Sequence, residues 1–320
     1  MNRRTFLKYS TAAVAGAAAS TALPLPALSG AARALPKSTR TILGHDMAYV
    51  DQGSGRPVVF LHGNPASSYL WRNIIPHVSG THRAIAPDLI GMGDSAKPAL
   101  TNTYQESAAH LHGLLDELDL RDAVLVIHDW GSALGWHYAR TRSDRISAIC
   151  FMEAMTPPFF PIASYEQLGP FEEFLRNMKT PGVGEKIIME QNYFIDEFLG
   201  NGSPNGRLPA AVMAEYNRYY PTSDSRKILL DWPRQIPVGG APKDVHDVVQ
   251  ANSEWILNST LPKLMFHVDP GAIIPMQAAE VLKQTLTNLE TVYLGKGGHF
   301  LQEDYPDEIG IALAEWLTRV

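Results

Sequence analysis

The chain has 320 residues, of which 45% are hydrophobic and 19% are charged. These proportions are typical of a soluble globular protein, and the length suits one large α/β domain with an insertion, or two domains. The formal net charge of −6 excludes a basic nucleic-acid-binding face. Cys150 is the only cysteine, so an intramolecular disulfide is excluded. Because it lies in an apolar run, we expect it to be a core residue and not a nucleophile.

Residues 1–34 have the features of a secretory signal. Residues 2–8 (Asn-Arg-Arg-Thr-Phe-Leu-Lys) are similar to a twin-arginine export motif, and an Ala-rich segment follows at residues 11–23. That segment is too short and too weakly apolar to anchor the chain in a membrane. Residues 32–34 (Ala-Arg-Ala) fit a cleavage site. We therefore expect export by the twin-arginine route to the periplasm or the exterior; the alternative is an uncleaved extension on a cytoplasmic protein.

The first part of the mature chain predicts the edge and the centre of an α/β sheet. Residues 41–51 alternate weakly and indicate an antiparallel edge hairpin, whereas residues 57–61 form a continuous apolar run typical of a central parallel strand. This strand ends at His-Gly-Asn-Pro, a loop over the sheet edge where ligands bind in α/β proteins. Asn64 in that loop offers an amide donor and a backbone N–H, or else serves only as a turn residue before Pro65.

Residues 124–133 predict a strand, a sharp turn and a helix, which is the context of a nucleophile elbow. In the usual G-x-S-x-G pattern a serine stands at the apex, but here Asp129 takes that place and Ile127 replaces the first glycine. A carboxylate at the apex can attack carbon directly and form an ester. The alternative is that Asp129 only caps the following helix, which we expect to run to about Arg142.

Candidate partners for Asp129 follow later strands. Glu153 ends an apolar strand one βαβ step after the elbow, so we expect it beside Asp129 if the two strands are neighbours. Asp269 ends a later strand and is a second candidate acid. His299 lies in a Gly-rich loop after the last strand, which gives the chain order nucleophile, acid, base of α/β hydrolases. The remaining predicted strands cover residues 82–87, 146–152, 263–268 and 289–294. Residues 69–78 are predicted to be helical, and a capping box at residues 103–106 (Thr-x-x-Glu) predicts the start of another helix.

Nucleotide and metal sites are not indicated. The Gly-rich loop at residues 88–95 lacks the spacing and the lysine of a phosphate-binding loop. His110 and His112 are two residues apart on a predicted helix, so they point to different faces and cannot share a metal ion. We expect no cofactor and no metal.

The segment from residue 156 to residue 235 differs from the rest of the chain. Twelve aromatic residues fall there, Pro and Gly interrupt short helical stretches, and apolar strand patterns are missing. We interpret it as a helical cap with an apolar inner face, under which a small apolar ligand would bind. The expected architecture is an α/β-hydrolase fold: signal 1–34, core 35–155 and 236–320, and cap 156–235.

The mature chain resembles the haloalkane dehalogenases along nearly its whole length. The matching segments are residues 62–71 (HGNPASSYLW), 88–95 (DLIGMGDS), 128–133 (HDWGSA), 232–237 (WPRQIP) and 298–303 (GHFLQE). The resemblance implies that Asp129 is the nucleophile, that His299 is the base, and that Asn64 and Trp130 donate hydrogen bonds to the halide.

The resemblance is closest to the branch of the family whose acid follows the sixth strand, which implies Glu153 as the partner of His299. Asp269 stands at the position that the other branch uses and is the alternative acid. Similarity also implies that Pro233 and Phe194 touch the substrate. The expected protein is a monomer or a weak oligomer without stable membrane association.

The implied reaction is hydrolysis of a small apolar halogenated substrate through an alkyl-aspartate ester, giving an alcohol, a halide ion and a proton. An epoxide hydrolase is the rival enzyme, because it shares the nucleophile, the base and the cap, and five tyrosines in the cap could serve its ring oxygen. Asn64 argues against it, since those enzymes usually carry an aromatic residue after His-Gly. A non-catalytic ligand-binding protein on the same fold is the third alternative.

Overall fold

The computed structural model describes residues 33–320. The predicted twin-arginine motif and the Ala-rich segment lie outside the described residues. Within residues 33–320 no helix is both long and apolar enough to cross a membrane.

A single eight-stranded sheet forms the centre of the fold. Its strands, numbered along the chain, are β1 (Lys37–Ile42), β2 (His45–Gln52), β3 (Pro57–Leu61), β4 (Arg83–Pro87), β5 (Ala123–Asp129), β6 (Ile146–Ala154), β7 (Lys263–Pro270) and β8 (Leu289–Gly297). Their spatial order is β1-β2-β4-β3-β5-β6-β7-β8. β1, β2 and β4 pair antiparallel, and every pairing from β4 to β8 is parallel. The predicted α/β-hydrolase fold is confirmed.

The edge hairpin is confirmed as antiparallel, but its position differs from the prediction. It consists of two strands, β1 and β2, joined at Leu43 and Gly44, both of which have positive φ. The predicted run of residues 41–51 therefore crosses a tight turn. Weak alternation carried across that turn because residues 38–41 of β1 are exposed on both faces and give little hydrophobic signal.

The described part of the chain contains ten α-helices, of which eight lie between strands and two follow β8. They are α1 (Ile75–Val78), α2 (Tyr104–Glu117), α3 (Trp130–Thr141), α4 (Glu172–Lys179), α5 (Ala210–Arg218), α6 (Lys227–Arg234), α7 (Lys243–Asn258), α8 (Met276–Thr285), α9 (Leu301–Asp304) and α10 (Pro306–Leu317). Short 3₁₀ segments cover Ser68–Trp71, Tyr165–Phe171 and Asp224–Arg226, and π segments cover Glu185–Glu190 and Phe194–Leu199.

The residues at the helix starts explain where α2 and α1 begin. The predicted capping box at α2 is present: the Thr103 side chain accepts from the Glu106 N–H, and the Glu106 side chain accepts from the Thr103 N–H. By contrast, the single helix predicted from Tyr69 to Val78 is wrong. The chain instead forms the 3₁₀ segment Ser68–Trp71 and then α1, in which Pro76 occupies the first turn. Proline favours a helix start and cannot continue a preceding helix, so it divides the segment.

The central strands β3, β5 and β6 are buried almost throughout, as continuous apolar runs in parallel sheets must be. Cys150 lies in β6 with no exposed surface, and burial raises the pKa of its thiol. The expectation that it is a core residue is confirmed. The carboxyl ends of these strands meet at one edge of the sheet, where ligands bind in α/β folds.

Between β6 and β7 the chain forms helices and short turns and adds no strand to the sheet. Its helix α7 packs on α3 of the core, whereas α4 and α6 pack on each other and on the π segment Glu185–Glu190, and α5 packs on the π segment Phe194–Leu199. A surface ion pair between Arg218 and Asp94, at 2.7 Å, joins this helical segment to the core. The cap boundaries at residues 156 and 235 stay predictions.

Candidate active site

Asp129 lies at a strained turn between β5 and α3. Its φ is 49°, a left-handed conformation that non-glycine residues rarely adopt, and its side chain makes no capping hydrogen bond to α3. The alternative of a simple helix cap therefore does not describe this residue. The backbone of β3 lies close below the turn: a Cβ on Gly131 would come within 2.4 Å of the Leu61 carbonyl oxygen, so only glycine fits there.

The Asp129 carboxylate is buried between two donors. Its Oδ1 accepts the backbone N–H of Asn64 at 2.7 Å, and its Oδ2 lies 3.4 Å from Nε2 of His299. Burial alone would raise the pKa of Asp129, but the His299 hydrogen bond and charge, with the backbone N–H of Trp130, hold it below its usual range. The carboxylate is therefore ionised at neutral pH. A Cβ on Gly63 would lie only 2.0 Å from Oδ1, so this glycine is required for the close approach.

Glu153 is held on the far side of the imidazole. Its Oε2 lies 3.0 Å from Nδ1 of His299. The same carboxylate accepts three backbone N–H groups from the loop after β7: those of Ala272 and Ile273 on Oε2 at 3.0 and 2.7 Å, and that of Ile274 on Oε1 at 3.1 Å. Buried charge needs such partners, and here the loop provides them.

His299 thus stands between two carboxylates. Burial lowers its pKa, but the hydrogen bonds and charges of Asp129 and Glu153 outweigh burial and raise the pKa to about 9. The neighbouring His128 shows the opposite behaviour, since burial and the charge on His299 lower its pKa to about 3. One imidazole in this site is therefore protonated at neutral pH and the other is not.

The two candidate acids are separated by the structure. Glu153 is buried and contacts His299, whereas the Asp269 side chain is exposed at the end of β7. β6 extends to Ala154, so Glu153 is inside the strand and also has a positive φ of 43°. The prediction that Glu153 ends the strand was one residue short, because Glu153 is an extra residue at an irregularity of the pairing. His128 pairs with Met152 and Asp129 with Ala154, so the strand resumes one residue later.

Asn64 and Trp130 lie on either side of the elbow and both are buried. The Asn64 side chain donates one N–H to the Leu229 carbonyl of α6 at 3.0 Å, which leaves its second N–H. The Trp130 ring packs against Trp232 of the same helix, with ring centroids 4.7 Å apart. Helix α6 therefore fixes both side chains, Asn64 by a hydrogen bond and Trp130 by a ring contact.

The two cap residues that the sequence singled out are both buried. Phe194 makes an edge contact with Phe198 at 5.7 Å, and Phe198 in turn lies 5.4 Å from the His299 ring. Pro233 is inside α6, next to Trp232. An apolar ring of the cap therefore lies against His299, and Phe194 packs on that ring. No group of three or more His, Cys, Asp or Glu side chains suited to a metal ion occurs within residues 33–320.

Sequence reasoning missed three elements of this site: the backbone amides that hold Glu153, the ring of Phe198, and a buried Arg72–Glu303 pair below the His299 loop. A backbone donor has no sequence signature, and Phe198 was one of many cap aromatics. Glu303 did fall within a quoted motif, residues 298–303, and Arg72 directly follows another, residues 62–71.

Comparison with known proteins agrees with this geometry. A profile described as the alpha/beta hydrolase fold matches residues 56–306. A haloalkane dehalogenase of Mesorhizobium japonicum is 43% identical over 290 residues, which cover 90% of this chain and 93% of that protein. A haloalkane dehalogenase of Sphingobium indicum is 40% identical, with 87% of this chain and 94% of that protein covered.

Solved structures give the same result. The crystal structure of the haloalkane dehalogenase DbeA from Bradyrhizobium elkani superposes with a TM-score of 0.84 at 39% identity, covering 88% of this chain and 97% of that one. The novel haloalkane dehalogenase DatA from Agrobacterium tumefaciens gives 0.82 at 34% identity, covering 90% and 98%. The extent and identity of these matches show that the chain belongs to the haloalkane dehalogenase family of the α/β-hydrolase fold.

Proposed function

We propose that this protein hydrolyses carbon–halogen bonds of small apolar haloalkanes through a covalent ester on Asp129. The observation that carries the proposal is the arrangement around that residue: an ionised carboxylate at the elbow, with a backbone donor on one oxygen and the His299–Glu153 pair at the other. A serine hydrolase has a hydroxyl at this apex and would need its proton removed, whereas a carboxylate attacks carbon without proton transfer.

The two oxygens of Asp129 take different roles. The Asn64 N–H holds Oδ1, so Oδ2 is the oxygen that attacks carbon and becomes the ester oxygen. Oδ1 then remains as the ester carbonyl, and the oxyanion that develops on it during hydrolysis is already bonded to the Asn64 N–H. The backbone N–H of Trp130, which also bonds to this carboxylate, is a second donor for that charge. Donors in place before the charge appears are the strongest form of transition-state stabilisation.

The departing halide needs donors as well. The indole N–H of Trp130 and the remaining amide N–H of Asn64 take this role, since α6 fixes both side chains above the elbow. Because Asn64, Asp129 and Trp130 are buried, little water competes for the halide, and each donor is worth more than in solution.

Formation of the ester prepares the base for the second step. While Asp129 is charged, it helps to hold the pKa of His299 near 9 and the imidazole is protonated at neutral pH. Alkylation removes that negative charge, so the pKa of His299 falls. The imidazole then loses its proton and becomes a base for water, and Glu153 orients it and stabilises the imidazolium that forms.

Epoxide hydrolysis is the competing activity, because an epoxide hydrolase also uses an Asp nucleophile and a cap. Such an enzyme needs cap tyrosines that donate to the ring oxygen. Of the five cap tyrosines, Tyr216 and Tyr219 donate their hydroxyl hydrogens to Glu303 and Glu215, so these two do not serve the ring oxygen. Halide release from 1-bromobutane should exceed diol formation from styrene oxide by a wide margin. Diol formation at a comparable rate would favour the epoxide hydrolase.

Replacing His299 by Phe tests the covalent mechanism, because it roughly fills the ring space but removes the base. The variant should release about one equivalent of halide and stop, since alkylation needs no base and hydrolysis does. The protein mass should rise by one alkyl group less one proton, on the peptide that contains Asp129. An Asp129→Asn variant should take no label. Continuous turnover by His299→Phe, or an adduct elsewhere, would exclude this mechanism.

We propose further that residues 1–34 direct export by the twin-arginine route, which carries folded proteins. The pattern of residues 2–8 supports this, as does a protein that needs no disulfide. Replacing Arg3 and Arg4 by Lys should leave active enzyme inside the cell. If the unmodified protein isolated from its host begins at Met1 and stays in the cytoplasm, export is excluded.

A further inference from the structure

A fully buried ion pair lies below the loop that carries His299. Arg72 binds Glu303 through two parallel hydrogen bonds of 2.7 Å, and the two side chains are only 3% and 4% exposed. The Glu303 carboxylate accepts a third hydrogen bond, from the Tyr216 hydroxyl to Oε1 at 2.5 Å, and the Tyr216 ring is also buried. The ring of Tyr69 covers the network, with the Arg72 guanidinium 4.0 Å from its centroid.

Three different segments meet in this network. Arg72 follows the 3₁₀ segment Ser68–Trp71 of the core, Glu303 belongs to α9, four residues after His299, and Tyr216 belongs to α5 of the cap. The Arg72–Glu303 pair alone is enough to neutralise the buried charges. The Tyr216 bond is therefore not needed for charge balance, and its effect is to tie α5 to the loop that carries the base.

A second set of contacts joins the cap to the same loop. The Ser203 hydroxyl donates to the Asp304 carboxylate, and the Asn205 amide donates to the Lys296 carbonyl at 3.4 Å. A Cβ on Gly298 would come within 2.6 Å of the Gly202 carbonyl oxygen, which shows how closely the two loops pass. The cap therefore contacts the His299 loop both before and after the histidine.

We propose that Tyr216, assisted by Ser203, is a positioning residue for His299, so that the cap governs ester hydrolysis and not only the choice of substrate. The inference rests on the proposed two-step reaction. The groups that carry alkylation, Asp129 with the donors Asn64 and Trp130, lie at the ends of strands β3 and β5. The hydrogen bonds of Asp129 and Asn64 run to each other, to His299 and to α6. Those of Tyr216 and Ser203 run instead to Glu303 and Asp304 of α9. Hydrolysis depends in addition on where the His299 loop holds Nε2 relative to the ester.

The test is Tyr216→Phe, which removes one hydroxyl and keeps the buried ring and the Arg72–Glu303 pair. Rapid-quench measurement with 1-bromobutane should show alkylation within about twofold of wild type. Ester hydrolysis should slow by about tenfold, a typical change when one member of a buried coupling network is removed. The ester should therefore accumulate in the steady state. The matched control is Tyr219→Phe, a cap tyrosine whose hydroxyl bonds to Glu215 and not to the His299 loop.

A purely structural role for Tyr216 predicts a different result, namely a lower unfolding temperature with both steps slowed in proportion. A positioning role for Tyr216 predicts that only the rate of ester hydrolysis falls. The midpoint of its pH profile should not move, because the charges of Asp129 and Glu153 are unchanged. Ser203→Ala removes the hydrogen bond to Asp304 and should also slow ester hydrolysis. This variant provides the test if Tyr216→Phe fails to fold.

The outcomes separate this inference from the proposed function. If wild-type protein releases no halide, the proposed function is wrong. If wild type forms and hydrolyses the ester but Tyr216→Phe and Ser203→Ala hydrolyse it at the wild-type rate, or slow alkylation equally, then only the positioning role is wrong.

Discussion

Replacement of Glu153 by Gln tests the role of the carboxylate partner of His299. Oε2 accepts from the N–H groups of Ala272 and Ile273 and from His299, and Oε1 accepts from Ile274. Either orientation of a glutamine amide places its NH₂ against at least one of these donors. One buried donor without a partner costs about 1–3 kcal/mol of folding stability. The protein should fold with a lower urea midpoint.

The effect on the reaction should be larger and confined to the second step. Without the carboxylate, His299 loses the group that orients it and stabilises the imidazolium. The corresponding loss in hydrolases with a carboxylate-oriented histidine is about 10⁴-fold. We expect ester hydrolysis to fall by roughly 10³–10⁴-fold, while alkylation by Asp129 changes only a few-fold. Quenched-flow assays should show a burst of about one equivalent of halide followed by very slow turnover.

The pH dependence gives an independent check. Hydrolysis needs neutral His299, so its rate rises as pH passes the pKa of that imidazole. Glu153 is one of the two charges that raise this pKa, so the residual hydrolysis of Glu153→Gln should reach its plateau at lower pH than in wild type. The control is Asp269→Asn, whose exposed side chain predicts near wild-type rates. A fully active Glu153→Gln beside an inactive Asp269→Asn would show that Asp269, and not Glu153, is the acid partner of His299.

Three further predictions follow from contacts of the site. Trp130→Phe keeps a ring but removes the indole donor, so single-turnover alkylation should slow by roughly a hundredfold or more. Quenching of tryptophan fluorescence by halide should also weaken. An unchanged alkylation rate would show that Trp130 does not bind the halide. Gly63→Ala places a methyl group where the Asp129 carboxylate lies and displaces the nucleophile, so the rate of alkylation should fall by about a hundredfold. A wild-type rate of alkylation would contradict the predicted clash. Arg72→Met leaves the buried Glu303 carboxylate without its positively charged partner and should lower the free energy of urea unfolding by about 3–5 kcal/mol. The added change Glu303→Met should restore most of that loss. Equal losses in the single and the double variant would show that the ion pair is not the cause.

The parts of the site that the sequence predicted are those with a local signature. Asp129 follows an apolar strand and precedes Gly131 and a helix, a pattern whose geometry is fixed within a few residues. His299 follows the last strand, and chain order alone suggested its role. Asn64 was found in the same way, as a donor at the end of β3.

The remaining features depend on contacts between distant segments. The choice between Glu153 and Asp269 rests on which carboxylate the loop after β7 surrounds, and backbone N–H groups leave no trace in residue identity. The bond between Tyr216 and Glu303 joins residues 87 positions apart. The broken helix after Ser68 was missed because a 3₁₀ turn and an α-helix have similar apolar spacing, and only Pro76 marked the division.

The sole thiol of the chain lies in β6, three positions before Glu153, and is sealed from solvent. A disulfide reagent can reach Cys150 only when the centre of the sheet opens, so the labelling rate measures how often that strand is exposed. Any small molecule that binds only the folded state makes opening rarer. At about a hundred times its dissociation constant it would slow labelling by about a hundredfold. Halide affinity could therefore be measured without turnover or a chromophore, from the rate at which a disulfide reagent labels Cys150.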